Sequence, residues 1–197
     1  MLLRRIFHRL ARGGLFTLPN ALTLFRLLLI PLFVHFFFTA PETCSALWVL
    51  ALSALSDVLD GAIARKFGMV SDFGKFLDPL ADKLTQFALT VCLTRDHPVL
   101  HPVLALFVVK EIFQLTLAVF YLLRRQILPG ALPAGKVCTT VLFVSLITLV
   151  LFPDLPQPAV NGIALADTVF LMISFAGYLN AYWGRKAILQ DLKKLDP

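Results

Sequence analysis

The sequence predicts an all-α integral membrane protein, with six transmembrane helices following an N-terminal amphipathic helix that lies on the membrane surface. Three observations predict it. Of 197 residues, 58% are apolar and 15% charged, with a mean hydropathy of +0.82, whereas globular chains run at roughly 45–50% apolar and about 25% charged. Six apolar runs, each close to the ~20 residues that cross a bilayer as helix, are divided by turn-forming residues. The lysines and arginines gather on one side of that layout.

Residues 1–18 set Arg4, Arg5, Arg9 and Arg12 among Leu3, Ile6, Phe7 and Leu10 at helical spacing, which suits a helix in the membrane interface rather than a cleaved signal. A six-helix domain then takes 19–197, with spans at 20–39, 44–66, 74–95, 98–123, 136–153 and 159–182. Thr39-Ala40-Pro41-Glu42, Arg95-Asp96-His97-Pro98, Pro129-Gly130 with Pro133, and Phe152-Pro153-Asp154 with Pro156 and Pro158 read as the connections. Arg65, Lys66, Arg124, Arg125, Lys136, Arg185 and Lys186 fall on the side of the N-terminal arginines, and the opposite loops offer only Arg95. Both termini are therefore expected in the cytoplasm. With the basic residues beside apolar spans, the net charge of +6 points to anionic lipid headgroups and not to nucleic acid. Cys44, Cys92 and Cys138 are odd in number, widely spaced and set in apolar runs, which fits reduced packing residues better than a disulfide or a zinc site.

Ionisable residues inside spans are costly and mark function by default. Asp57, Asp60, Arg65, Asp72, Lys75, Asp78, Asp82 and Lys83 crowd the cytoplasmic ends of the second and third spans. Asp57 and Asp60 are three apart and Asp78 and Asp82 four apart, so each pair projects from one face of its helix, and a short turn would aim all four at a common point. Like charges held so close repel unless cations lie among them. Hard oxygen donors without His or Cys suit Mg2+ or Mn2+, and two ions bridged by carboxylates fit the same set. Gly61 and Ala64 leave room on the side of Asp57 for a ligand or a backbone, and Arg65 offers a fixed charge suited to phosphate. Asp72, beside Ser71, is expected to cap a helix, and Asp78, before Pro79, suits a cap as well.

The run Asp57-Val-Leu-Asp60-Gly61-Ala-Ile-Ala64-Arg65, followed by Gly74, Asp78 and Asp82, resembles the signature of the CDP-alcohol phosphotransferase family at every signature position. The six spans and the N-terminal helix extend the resemblance over nearly the whole chain. It implies transfer of a phosphatidyl group from CDP-diacylglycerol to an alcohol at the cytoplasmic face of the plasma or inner membrane, with release of cytidine monophosphate. It further implies that Asp57, Asp60 and Asp78 hold divalent metal and that Asp82 completes the site as general base. Asn20, Thr23, Gly61, Ala64, Arg65 and Gly74, with Asp60, would line the cytidine diphosphate pocket. Family members commonly form homodimers.

Pro19-Asn20-Ala-Leu22-Thr23-Leu-Phe-Arg26 with Pro31 resembles the first span of both the phosphatidylglycerophosphate synthase and the cardiolipin synthase branches, while Asp72 to Lys83 and Gly135-Lys136 look more like the former, which implies glycerol 3-phosphate as acceptor. Lys136, Lys110, Arg124 and Arg125 are the candidate cations for the acceptor phosphate, with Lys136 preferred; Lys110-Glu111 also reads as an internal ion pair, and Arg124 and Arg125 as anchors at the membrane edge. Tyr182-Trp183-Gly184-Arg185-Lys186 instead resembles the C-terminal end of the cardiolipin synthase branch, whose acceptor is phosphatidylglycerol. Two classes outside the family also use membrane carboxylates. An aspartate-rich prenyltransferase would not release cytidine monophosphate, and a divalent-cation transporter would need a site near midplane open to both sides.

Overall fold

The computed structural model describes residues 18–40, 44–67, 72–123 and 133–195. They form α1 (Leu18–Thr39), α2 (Ser45–Phe67), α3 (Asp72–Asp96), α4 (His101–Leu123), α5 (Pro133–Leu151) and α6 (Gln157–Leu195), with a 3-10 turn at Pro98–Leu100 before α4. The N-terminal amphipathic helix expected at 1–18 lies outside the described residues except for Leu18, which already opens α1.

Six helices occupy the six expected places, but five of them are long and apolar enough to cross a membrane: Leu18–Thr39, Ser45–Ile63, Pro98–Phe120, Pro133–Leu151 and Gln157–Tyr182. That makes the chain a multi-pass membrane protein, with α3 the one expected span that is not among these five. The exception, α3, carries Asp72, Lys75, Asp78, Asp82 and Lys83 in its first half and an uncharged stretch only from Leu84 to Thr94. Two prolines read as loop residues also prove helical. Pro133 and Pro158 take the first and second positions of α5 and α6, where a missing N–H costs nothing. Pro79 stands inside α3, so Asp78 is a helix-interior residue and not a cap, and the helix begins at Asp72 as expected.

Two compact units divide the chain, one through Cys92 and the other from Leu93. In the first, polar residues share the buried faces with apolar ones. Asn20, Thr23 and Arg26 form the first half of the buried stripe of α1, which Leu29 and Phe33 continue, while Leu24, Phe25, Leu28 and Leu32 are exposed. Ser53, Ser56 and Asp60 are buried on α2, and Trp48, Leu52, Leu55 and Val58 face outward. Polar residues inside and large apolar residues outside make a stable helix pair only when the surroundings are hydrocarbon. Ser56 ties the pair together by donating to the Leu22 carbonyl at 3.2 Å.

In the second unit, α5 and α6 run antiparallel along a regular seam. Gly135 lies against Tyr178, Cys138 beside Ser174, and Ser145 donates to Asp167 Oδ1 at 2.9 Å. Steps of three and seven residues along α5 are matched by returns of four and seven along α6, the spacing of knobs on one helical face. Buried Leu142, Leu146 and Leu149 of α5 and Leu171, Ala164 and Val160 of α6 recur at the same spacing. A Cβ built on Gly135 would come within 2.6 Å of the Tyr178 hydroxyl oxygen, whereas one on Gly162 meets nothing within 4 Å. Gly135→Leu should therefore lower the thermal midpoint of the detergent-purified protein, at an overpacking cost of about 1–3 kcal/mol, while Gly162→Leu leaves it nearly unchanged. Equal midpoints for the two variants would mean that the seam is looser than drawn.

Candidate active site

Three helices of the first unit meet at their polar stripes. From α1 come Thr23 and Arg26, three residues apart and buried to 0% and 2% exposure. From α2 come Asp57 and Asp60, and from α3 Asp78 and Asp82, each pair spaced to share a helix face.

Arg26 is the hub. Its Nη1 lies 2.5 Å from Asp57 Oδ1 and 2.6 Å from Asp82 Oδ1, and its Nη2 donates to Asp60 Oδ2 at 2.7 Å. One planar guanidinium thus gathers carboxylates from two helices, a use for which its forked donors are suited and a lysine ammonium is not. The fourth carboxylate is reached by Thr23, whose Oγ1 donates to Asp78 Oδ1 at 2.7 Å and stands 3.3 Å from Asp60 Oδ2. All four aspartates are therefore within one hydrogen bond of two adjacent side chains of α1.

Depth separates their roles. Asp60 is buried with Arg26 and Thr23 and forms the floor. Asp57 and Asp82 keep side-chain exposures of 51% and 54% and form an open rim. A rim carboxylate can meet an incoming hydroxyl and pass its proton to water, which a floor carboxylate cannot. The floor instead fixes the geometry of what binds above it.

Among the described ion pairs of the site, the carboxylates outnumber the cations. The guanidinium answers one of four carboxylates, and two carboxylates ~5 Å apart repel by about 3 kcal/mol at an effective dielectric of ~20. Among the described residues no three His, Cys, Asp or Glu side chains are set to hold a metal ion, because the oxygens meet around Arg26. The donor set itself is all hard oxygen and converging, which fits a hard divalent cation and not a soft metal. Arg26 Nε is buried and has no hydrogen-bond partner among the described residues.

Other residues singled out from sequence are placed as follows. Asn20 is buried one turn before Thr23 on the same stripe. Gly61 follows Asp60 on α2, and Gly74 is buried in the first turn of α3. Ala64 and Arg65 lie in the last turns of α2, with side chains outside the described set, as are Arg124 and Arg125 altogether. Lys110 and Lys136 belong to the second unit. Lys110 is buried and paired with Glu111 at 2.6 Å, the internal ion pair that was its alternative reading, and Lys136 is exposed in the first turn of α5.

Two polar residues went unassigned by sequence reasoning. Arg26 figured only as part of a resemblance, although an arginine in the middle of an apolar span is itself a signal of a partner. Asp167, 1% exposed and bonded to Ser145, carries the same signal in the second unit.

Beyond the cluster, α1 and α3 diverge to leave an apolar groove of about 330 Å³, lined by Leu27, Ile30 and Val34 on one side and Leu84, Phe87 and Val91 on the other. It begins one residue past Arg26 and two past Asp82, so a molecule lying in it would reach the carboxylates with its polar end.

A family model described as CDP-alcohol phosphatidyltransferase matches residues 16–176. The CDP-diacylglycerol–glycerol-3-phosphate 3-phosphatidyltransferase of Yersinia enterocolitica is 32% identical over 193 residues, covering 84% of this chain and 94% of its own. The protein of the same name from Sodalis glossinidius is 33% identical over 169 residues, covering 76% and 83%. A cardiolipin synthase (CMP-forming)/mitochondrial hydrolase fusion protein of Schizosaccharomyces pombe is 37% identical over 127 residues, covering 63% of this chain and 18% of the fusion.

Replacing Thr23 by Val keeps its volume but removes the hydroxyl between Asp60 and Asp78. Thr23→Val should cost about 1–3 kcal/mol in detergent unfolding, the range for a partner of a buried polar group, and Thr23→Ser should restore most of it. Indistinguishable unfolding of the two variants would detach Thr23 from the cluster.

Proposed function

The chain belongs to the CDP-alcohol phosphatidyltransferase family, and from that premise we propose that it transfers the phosphatidyl group of CDP-diacylglycerol to glycerol 3-phosphate, releasing cytidine monophosphate. The observation that carries the reading is the convergence of Asp57, Asp60, Asp78 and Asp82 on one small space beside an apolar groove. A lipid nucleotide needs both. One acyl chain lies along the groove between α1 and α3 while the diphosphate rests at the carboxylates. The names of the Yersinia and Sodalis relatives supply the acceptor.

Asp57, Asp60 and Asp78 would hold the divalent metal, Mg2+ or Mn2+, with Asp82 completing the site. When bound, such ions neutralise charge on the diphosphate and on departing cytidine monophosphate. The chain's own residues do the rest. Asp82, on the open rim, accepts the proton of the acceptor hydroxyl as that oxygen bonds to the phosphatidyl phosphorus. The bond from this phosphorus to the cytidylyl oxygen breaks, and the electron pair leaves with cytidine monophosphate. Asn20, Thr23, Gly61, Ala64, Arg65 and Gly74 line the nucleotide side, and Lys136, with Arg124 and Arg125, serves the acceptor phosphate; Lys110, buried and paired with Glu111, takes no part. The reaction runs at the cytoplasmic face of the plasma or inner membrane, where both termini lie, in a homodimer.

The purified protein, given CDP-diacylglycerol and Mg2+ or Mn2+, is expected to release cytidine monophosphate with glycerol 3-phosphate. Release only with phosphatidylglycerol would assign it to the reaction named for the fission-yeast relative, and release with neither would end the reading. Asp82→Asn should lower kcat by at least about 100-fold while binding of the nucleotide lipid persists, as expected for loss of a general base. Wild-type kcat in that variant would remove Asp82 from its role. Lys136→Ala should raise the KM for glycerol 3-phosphate about tenfold with kcat little changed, since it removes a charge from binding alone; an unchanged KM would place the acceptor phosphate elsewhere.

A further inference from the structure

We propose that Arg26 is the carboxylate cluster's resident counter-cation, competing with the divalent ion for the same oxygens and turning toward a substrate phosphate as the metal loads. The inference rests on the metal-dependent reading above and assigns a function to a residue that reading leaves unused.

Three observations carry it. Both Nη atoms of Arg26 are engaged with Asp57, Asp60 and Asp82, which are the oxygens a metal would need. The side chain is buried to 2% exposure, so the guanidinium has no bulk water into which its charge can be released. Its Nε is buried without a partner among the described residues, which leaves one donor of the fork free of any acceptor in that set.

Charge then dictates the order of events. A doubly charged ion bound to these carboxylates would lie in direct contact range of the guanidinium, and two cations so close in a poorly polarisable site repel strongly. One of them must yield. The guanidinium yields only when another acceptor is offered, and a phosphate oxygen is the acceptor that a guanidinium fork fits best. Metal alone is thus held weakly, and metal with a diphosphate is held well. Linkage makes this mutual: the factor by which diphosphate tightens metal is the factor by which metal tightens diphosphate. Such coupling keeps the cluster assembled between turnovers and avoids stable metal loading without substrate.

The test is binding, not turnover. Metal-stripped protein in detergent is titrated with Mn2+ alone and the free ion is followed by electron paramagnetic resonance, for the wild type, Arg26→Gln and Arg26→Lys. Removal of the competing charge should tighten Mn2+ binding at least tenfold in Arg26→Gln. Arg26→Lys, which keeps a charge but loses the fork, should fall between the two and serves if Arg26→Gln fails to fold. Addition of CDP should tighten Mn2+ by a larger factor in the wild type than in either variant. Equal or weaker Mn2+ binding by the variants overturns the competition, and an equal CDP factor overturns the handover. Should none of the three proteins bind Mn2+, the metal-dependent reading falls and this inference with it; wild-type binding that the variants merely match sinks the inference alone.

Discussion

A charge inside an apolar slab must be answered by an opposite charge or by a dense set of hydrogen bonds, and most of the first unit follows from that requirement. Arg26 and Asp60 are both buried, and neither would be tolerated there without the other. Once they are paired, the remaining geometry is constrained. Asp57 arrives on the same face of α2 one turn earlier, Asp82 is drawn to the same nitrogen from α3, and Thr23 holds Asp78 from one turn up α1. A helix as charged as α3 is stable in this setting because its carboxylates end on α1.

The same requirement explains how one site serves two phases. Buried polar residues of the helices face inward, and large apolar residues look out. The second half of α3 then lines an apolar groove that starts beside the cluster. For the proposed transfer this separation is useful. The chain of the lipid substrate stays in an apolar slot, while the reacting phosphate and the water-borne acceptor meet over exposed carboxylates. A soluble enzyme would have to bury the acyl chain in a cavity of its own.

Much of this was legible in the sequence, for physical reasons. Apolar runs of span length and proline-marked connections give helix positions directly, and the structure places a helix at each of the six, the last running on to Leu195, well past the expected end at 182. Carboxylate spacing gave the faces of α2 and α3, because side chains three or four residues apart must project together. What spacing cannot give is the partner across the interface. Arg26 lies more than thirty residues from Asp57 and Asp60 and more than fifty from Asp82, so its role as hub became visible only when the helices were assembled. The same holds for Asp167 and Ser145, twenty-two residues apart on neighbouring helices. Pro133 and Pro158 were mistaken for loop residues because proline breaks a helix interior but is favoured in its first turn, and single positions do not distinguish the two.

The central claim is that Asp57, Asp60, Asp78 and Asp82 form one cation site. Crystals of the protein grown with Mn2+ and CDP, measured at the manganese absorption edge, test it most directly. An anomalous peak bonded at about 2.0–2.2 Å to carboxylate oxygens from both α2 and α3 is the predicted result. A peak bound elsewhere, or to the aspartates of a single helix, would contradict it.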